Sequence, residues 1–157
     1  MVSDASTALM LRLEAVLNSD QVDAGLRVLL APEVLYNDQT ISPQILCQAR
    51  LPLWDAVPDV RWTLDEVIAD GERVATRWTV TGTHQEDFVH PRLPGRAPAT
   101  GQTIRLVYAL FCQVVNGKIV EARDVSDRLA LYQQLRILPN LGLGESTHTI
   151  GDGAGHR

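Results

Sequence analysis

The sequence predicts an α+β domain: a cone-shaped, curved antiparallel sheet packed on N-terminal helices and enclosing one apolar pocket. Three observations lead there. Apolar residues keep helical spacing up to residue 57 and alternate with period 2 from Pro58 onward. Two turn signals, Asp70-Gly71 and Asn116-Gly117, join alternating runs as hairpins. One short helical stretch follows the last run. Helices segregated from hairpin-linked strands mean α+β. A curved sheet wrapped on helices leaves a conical hollow.

Each element has a local reason. Leu9, Arg12, Leu13, Val16 and Leu17 share one helical stripe. Asn18-Ser19-Asp20 interrupts that helix and caps a second, through Val22, Leu26 and Leu29, which Pro32 ends. Val34-Leu35-Tyr36 is a short strand. Ser42-Pro43 opens a third helix, with Ile45, Leu46, Ala49, Leu53 and Trp54 as its apolar stripe. Pro52 inside it predicts a kink or an early end. Val60, Trp62 and Leu64 face one way on the first long strand, and Val74, Trp78 and Val80 on the second, residues 73–84. A loop rich in Pro and Gly covers residues 90–101. Residues 103–115 form a long strand and residues 118–124 the returning one. Residues 127–135 are the closing helix.

The chain of 157 residues is one domain, residues 1–140, followed by a Gly-rich tail, residues 141–157, expected to be flexible. With 14 basic against 19 acidic residues the net charge is −5, which excludes the dense basic face that nucleic acid or an anionic membrane requires. Cys47 and Cys112 sit in apolar neighbourhoods and read as free thiols of a reducing compartment. The first residues lack the charged and apolar regions of a leader, and no apolar run approaches the roughly 20 residues of a bilayer span. A cytoplasmic location is expected.

Several familiar sites are missing from the sequence. It has no Gly-rich phosphate loop, no G-x-S-x-G elbow and no cysteine spacing for a metal. His84, Glu86 and His90 loosely imitate a two-histidine, one-carboxylate site, but their spacing reads as ordinary surface residues. No metal and no cofactor are expected.

Asp124 is the informative residue. Val120, Ala122 and Asp124 share one face of the last strand, and Glu121 and Arg123 share the other. Period 2 therefore aims Asp124 inward. Burial raises a carboxylate's pKa, which makes it usable as an acid/base group near neutrality. The alternative is structural: a pair with Arg123 or Arg128, or a cap for the closing helix. His84 is in phase with Trp78 and Val80, and Tyr108 with Leu106 and Leu110. Each is either a hydrogen-bonding partner for a ligand or a satisfied core residue. Trp54, Trp62 and Trp78 read as core and pocket wall.

Four segments resemble a known family when taken in order: Val57-Pro58-Asp59-Val60; Arg77-Trp78-Thr79-Val80-Thr81-Gly82-Thr83-His84; Pro98-Ala99-Thr100-Gly101; and Asn116-Gly117-Lys118-Ile119-Val120-Glu121 leading to Arg123-Asp124, with Asp127 and Gln133-Gln134-Leu135 beyond. Residues 8–139 thereby resemble the SnoaL-like polyketide cyclases of the nuclear-transport-factor-two-like superfamily. The resemblance implies a cone closed by helices, a deep apolar pocket and a homodimer or homotetramer, here paired through the sheet face. It implies cofactor-independent acid/base cyclisation, or a related lyase or isomerase reaction, on a hydrophobic carbonyl compound. It places Asp124 at the position of the family's working aspartate. His84 is its expected catalytic companion, and Tyr108, Trp54, Trp78, Tyr36 and Leu110 are the expected substrate contacts. Two alternatives accompany this reading: a non-catalytic binding or assembly module of the same fold, and an epoxide-opening enzyme. The sequence departs from the family in its 84–98 loop, with Gln85-Glu86-Asp87, and in the apolar Leu110.

Overall fold

A computed structural model describes residues 2–90 and 95–139. The expected tail, residues 141–157, lies outside the described residues. Helices α1 (Val2–Leu17) and α2 (Val22–Leu29) lead into strand β1 (Leu30–Tyr36) and the short β2 (Gln39–Ile41). Helix α3 (Pro43–Ala56) precedes β3 (Arg61–Asp70) and β4 (Arg73–Thr83). The two-residue strands β5 (Phe88–Val89) and β6 (Arg96–Ala97) then pair with each other. Strands β7 (Thr103–Val115) and β8 (Lys118–Ser126) and helix α4 (Arg128–Gln134) complete the chain.

The main sheet runs β2-β1-β8-β7-β4-β3. It is mixed, not wholly antiparallel: β1 lies parallel to β8. Local pattern could not reveal that pair, because β1 reaches β8 across six intervening strands and a helix. Helix α1 packs on β3, and α3 packs on β1 and β5. The buried side chains of the inner face, Val74, Trp78, Val80, Ile104, Leu106, Tyr108 and Leu110, meet Met10, Leu13 and Leu29 of the helices.

Two local expectations change. Pro52 does not end α3, which runs on to Ala56 and closes with the Val57 N–H donating to the Leu53 carbonyl at 2.9 Å. Ala56 and Val57 are fully buried there, so tertiary packing holds the last turn. Asn18 is not merely a breaker between helices. Its Nδ2 donates to the Trp62 carbonyl at 2.7 Å and its Oδ1 accepts from the Trp62 N–H at 2.8 Å, tying α1 to β3. No helix among the described residues is long and apolar enough to cross a membrane.

One irregularity decides the facing of β8. Gln113 pairs with Glu121, but Val114 pairs with Ile119, so Val120 is an extra residue in the ladder. Phase flips there. Ile119 and Ala122 are buried, while Val120 is only partly so. The expected inward trio of Val120, Ala122 and Asp124 is corrected to Ile119, Ala122 and Asp124.

Candidate functional site

The interior holds two adjoining hollows that share Tyr36, Leu46, Arg50, Trp62 and Tyr108. The inner one is small, about 30 Å3, and reaches Trp78, Leu110 and Ile119. The outer one is about 160 Å3 and opens past Trp54, His90, Asp124 and Tyr132. The expected pocket is therefore apolar only at its inner end. Its wider part carries Arg50 and Arg128, the Asp124 carboxylate and the phenols of Tyr36, Tyr108 and Tyr132.

Strand register builds the polar cluster. Trp78 pairs with Tyr108, and Leu110 with Asp124, so Tyr108 and Asp124 come from adjacent strands of one face. On the other side of β8, Tyr36 pairs with Ala122. The Tyr36 and Tyr108 hydroxyls lie 3.1 Å apart. Arg50, one turn after Leu46 on α3, donates from Nη2 to the Tyr108 hydroxyl at 2.9 Å. Its guanidinium lies 5.1 Å from the Trp62 ring centre and 5.5 Å from that of Tyr108. Trp62 meets Tyr108 edge-on with centres 5.4 Å apart, which fixes both rings beneath the cation.

Asn37 completes the cluster. Its Nδ2 donates to Asp124 Oδ1, and its Oδ1 accepts from the Asp124 backbone N–H at 3.0 Å. Burial pushes the Asp124 carboxyl up. The Asn37 amide, the neighbouring Tyr36 and Tyr108 hydroxyls and the Arg50 charge outweigh it, and the group is held below its ordinary value. This reverses the expectation that burial raises it. Tyr108 goes the other way: burial raises its hydroxyl against the pull of Arg50. For Arg50, burial works against the charge, but the two tyrosine oxygens and Asp124 prevail and keep it protonated. The resting site thus contains an ionised carboxylate, two phenols and a guanidinium. It can accept a proton at Asp124 and donate hydrogen bonds to an oxygen nearby.

The remaining expected residues are placed as follows. Tyr36, Tyr108 and Trp54 line the outer hollow with Asp124, and Trp78 and Leu110 line the inner one. His84 lines neither. It is fully buried beyond the strand's end, with Nδ1 3.1 Å from Thr100 Oγ1 and no partner at Nε2 among the described residues. Burial lowers its pKa, with Asp87 opposing. His90 stands at the outer hollow instead, stacked on Phe88 with ring centres 6.2 Å apart. Neither Arg123 nor Arg128 is within ion-pair distance of Asp124; Arg123 turns outward to Asp38 and Glu121. The helix cap is Asp127, whose carboxylate accepts from the Ala130 N–H at 2.9 Å. No group of three His, Cys, Asp or Glu among the described residues is arranged to hold a metal ion.

Sequence reasoning missed Arg50 and Asn37. Arg50 had a readable signal: it follows Leu46 by four and precedes Leu53 by three, so it interrupts the buried stripe of α3. Asn37 had none, because only the parallel β1–β8 pair brings it to Asp124.

Comparison with known proteins agrees with this fold. The family model described as SnoaL-like polyketide cyclase matches residues 7–135. AclR from Streptomyces galilaeus, a proposed hydroxylase, is 27% identical with a TM-score of 0.73, over 88% of this chain and 85% of that one. A proposed SnoaL-like polyketide cyclase from Jannaschia sp. CCS1 is 17% identical with a TM-score of 0.72, over 88% and 96%. IdmH from Streptomyces antibioticus, a proposed polyketide cyclase, is 22% identical with a TM-score of 0.68, over 83% and 97%. No curated protein matches the chain.

Proposed function

The chain belongs to the SnoaL-like polyketide cyclase family, and on that premise we propose that it is an acid/base enzyme for a hydrophobic carbonyl compound, with Asp124 moving the proton. The observation that carries the reading is the state of Asp124. It is an ionised carboxylate that lines the outer hollow, oriented by Asn37 and set beside the Tyr36 and Tyr108 phenols. A binding module needs no such group.

The low basicity of Asp124 narrows the chemistry. A carboxylate held below its ordinary value takes a proton only from a fairly acidic carbon. A methylene between two carbonyls is such a carbon. Asp124 removes one of its protons, and the C–H electron pair becomes an enolate. The enolate carbon bonds to a second carbonyl carbon of the same molecule, whose π pair moves to its oxygen. The protonated Asp124 returns its proton to that alkoxide, and the product is an isomeric cyclic alcohol. The reaction as written uses no cofactor, because the substrate's carbonyls carry the charge. Holding the two reacting carbons together in the narrow hollow adds to the rate.

The test is Asp124→Asn with a cyclisable polyketone. Turnover is expected to fall by roughly 10²–10⁴-fold, with the thermal melt nearly unchanged. Full activity in the variant removes Asp124 from the reaction. The likeness to AclR favours a second reading, hydroxylation. Product mass separates the two: an isomer supports cyclisation, and a gain of one oxygen atom supports hydroxylation.

A further inference from the structure

We propose that Arg50 and Tyr108 form an oxyanion subsite, and that the molecules this cavity takes carry a planar, delocalised oxyanion on an apolar body. The oxyanion has two sources. It is a carboxylate already on the molecule, or the enolate of a β-dicarbonyl formed in the site. The enolate source rests on the acid/base reading above; the carboxylate source does not.

The first argument is the pairing of the arginines. The other described arginines are all exposed; Arg27, Arg77, Arg96 and Arg123 meet carboxylates there, and the rest meet solvent. Arg50, inside the fold, is within ion-pair distance of none among the described residues. A guanidinium carries five N–H donors, and the described residues accept from one of its atoms, Nη2. A part-buried charge with no carboxylate in direct contact, and only Asp124 acting on it from further off, carries a desolvation cost. The fold keeps it where it lines both hollows, the place a ligand's charge would reach.

The second argument is shape. Trp62 and Tyr108 hold the guanidinium against their rings, so its flat fork is presented in a fixed plane. That geometry matches a flat, two-oxygen anion. An apolar cavity of about 150 Å3 holds one benzene, and the outer hollow here is about 160 Å3 and open. It suits a ring or a folded chain of that width, with the rest of the molecule projecting outward.

The third argument is charge placement. Arg50 and Asp124 form no ion pair; they line one hollow together with Tyr108 and Tyr36. When Asp124 takes a proton from carbon, the negative charge leaving it arrives on an oxygen beside Arg50. The total charge of the site is unchanged, so the transfer needs no new counter-ion.

The experiment measures binding to the full chain by calorimetry, with 2-naphthoate and the neutral 2-naphthamide, and with benzoylacetone followed by the near-ultraviolet enolate band. The unmodified protein should bind naphthoate more tightly than naphthamide, or should strengthen the enolate band. Arg50→Gln should weaken naphthoate by roughly 10–100-fold, as loss of a charge-assisted hydrogen bond does. It should leave naphthamide unchanged and abolish the enolate band. Arg50→Lys should fall between. Asp124→Asn should tighten naphthoate by removing a nearby negative charge, whether or not it alters turnover. A naphthoate effect alone identifies the carboxylate source, and an enolate band alone the other. Equal affinity for acid and amide with no enolate band overturns the proposal, as does failure of every probe to bind. So does Arg50→Gln that leaves both signals intact. Should Arg50→Gln not fold, the acid–amide comparison in the unmodified protein and Arg50→Lys decide. Loss of naphthoate binding in Arg50→Gln beside full turnover in Asp124→Asn retains the subsite and discards only the acid/base reading.

Discussion

Asn37 grips Asp124 at both ends of the aspartate: its amide donates to the carboxylate, and its carbonyl oxygen accepts from the aspartate's own backbone N–H at 3.0 Å. The residue sits at φ +48°, in the left-handed region, just past the end of β1. Asn37→Gly keeps that backbone accessible and removes both contacts. Asp124 should lose its side-chain donor, and its pKa should rise. The acid limb of the rate profile should therefore move to higher pH, with kcat lower by about 10²-fold from misplacement. Rate against pH in both proteins checks this; an unmoved acid limb would remove Asn37 from control of Asp124.

His84 supplies a pH dependence of stability. Burial holds it below its ordinary value. As pH falls through about 6.5 the unfolded chain gains a proton that the folded chain does not, so stability is complete above that value and declines below it, towards the folded pKa. Melting temperatures at about pH 7.5 and pH 5.5 should differ more for the unmodified protein than for His84→Gln. Parallel curves would show that the ring titrates alike in both states.

Gly82 explains a glycine in the Thr81-Gly82-Thr83 run. A Cβ there would stand 2.3 Å from Val57 Cγ1 and 3.2 Å from the Val60 Cα. Val57 is fully buried and cannot swing away. Gly82→Ala should cost about 1–3 kcal/mol by overpacking. Adding Val57→Ala should cost less than the sum of the two changes, since the second makes room for the first. Urea unfolding of the four proteins measures it, and strict additivity would refute the clash.

The outer sheet face bears on assembly. Ile68, Phe111 and Val125 are 63%, 51% and 65% exposed, and large apolar patches are rare on monomers. Ile68 and Phe111 border a hollow of about 280 Å3 with Arg73 and Arg123 at its edge. We expect a homodimer or homotetramer through this face. Phe111→Asp should give monomers that keep the interior cavity. Light scattering of the unmodified protein at micromolar concentration that returns the chain mass of 17.3 kDa would sink the expectation.

Period alone determined much of this molecule. The change from 3.6 to 2 near Pro58 placed the helices before the meander, and the Asn116-Gly117 turn set β7 against β8. Two-residue alternation then carried Tyr108 to the inner face, and with Ala122 it carried Asp124. Those are local properties, decided by neighbours in the chain. Tertiary structure decided the rest. The bulge at Val120 exchanged it for Ile119, a shift of one residue that reverses facing and leaves no mark in hydrophobicity. The parallel β1–β8 pair joined Asn37 to a carboxylate eighty-seven residues away. Strand phase put His84 inside, yet β4 ends at Thr83 and the chain carries the ring beyond the cavity, where Thr100 receives it. Direction of the Asp124 pKa was decided last. Burial by itself raises it, and only the assembled groups, Asn37 just past β1 with Tyr36, Tyr108 and Arg50, reverse the sign.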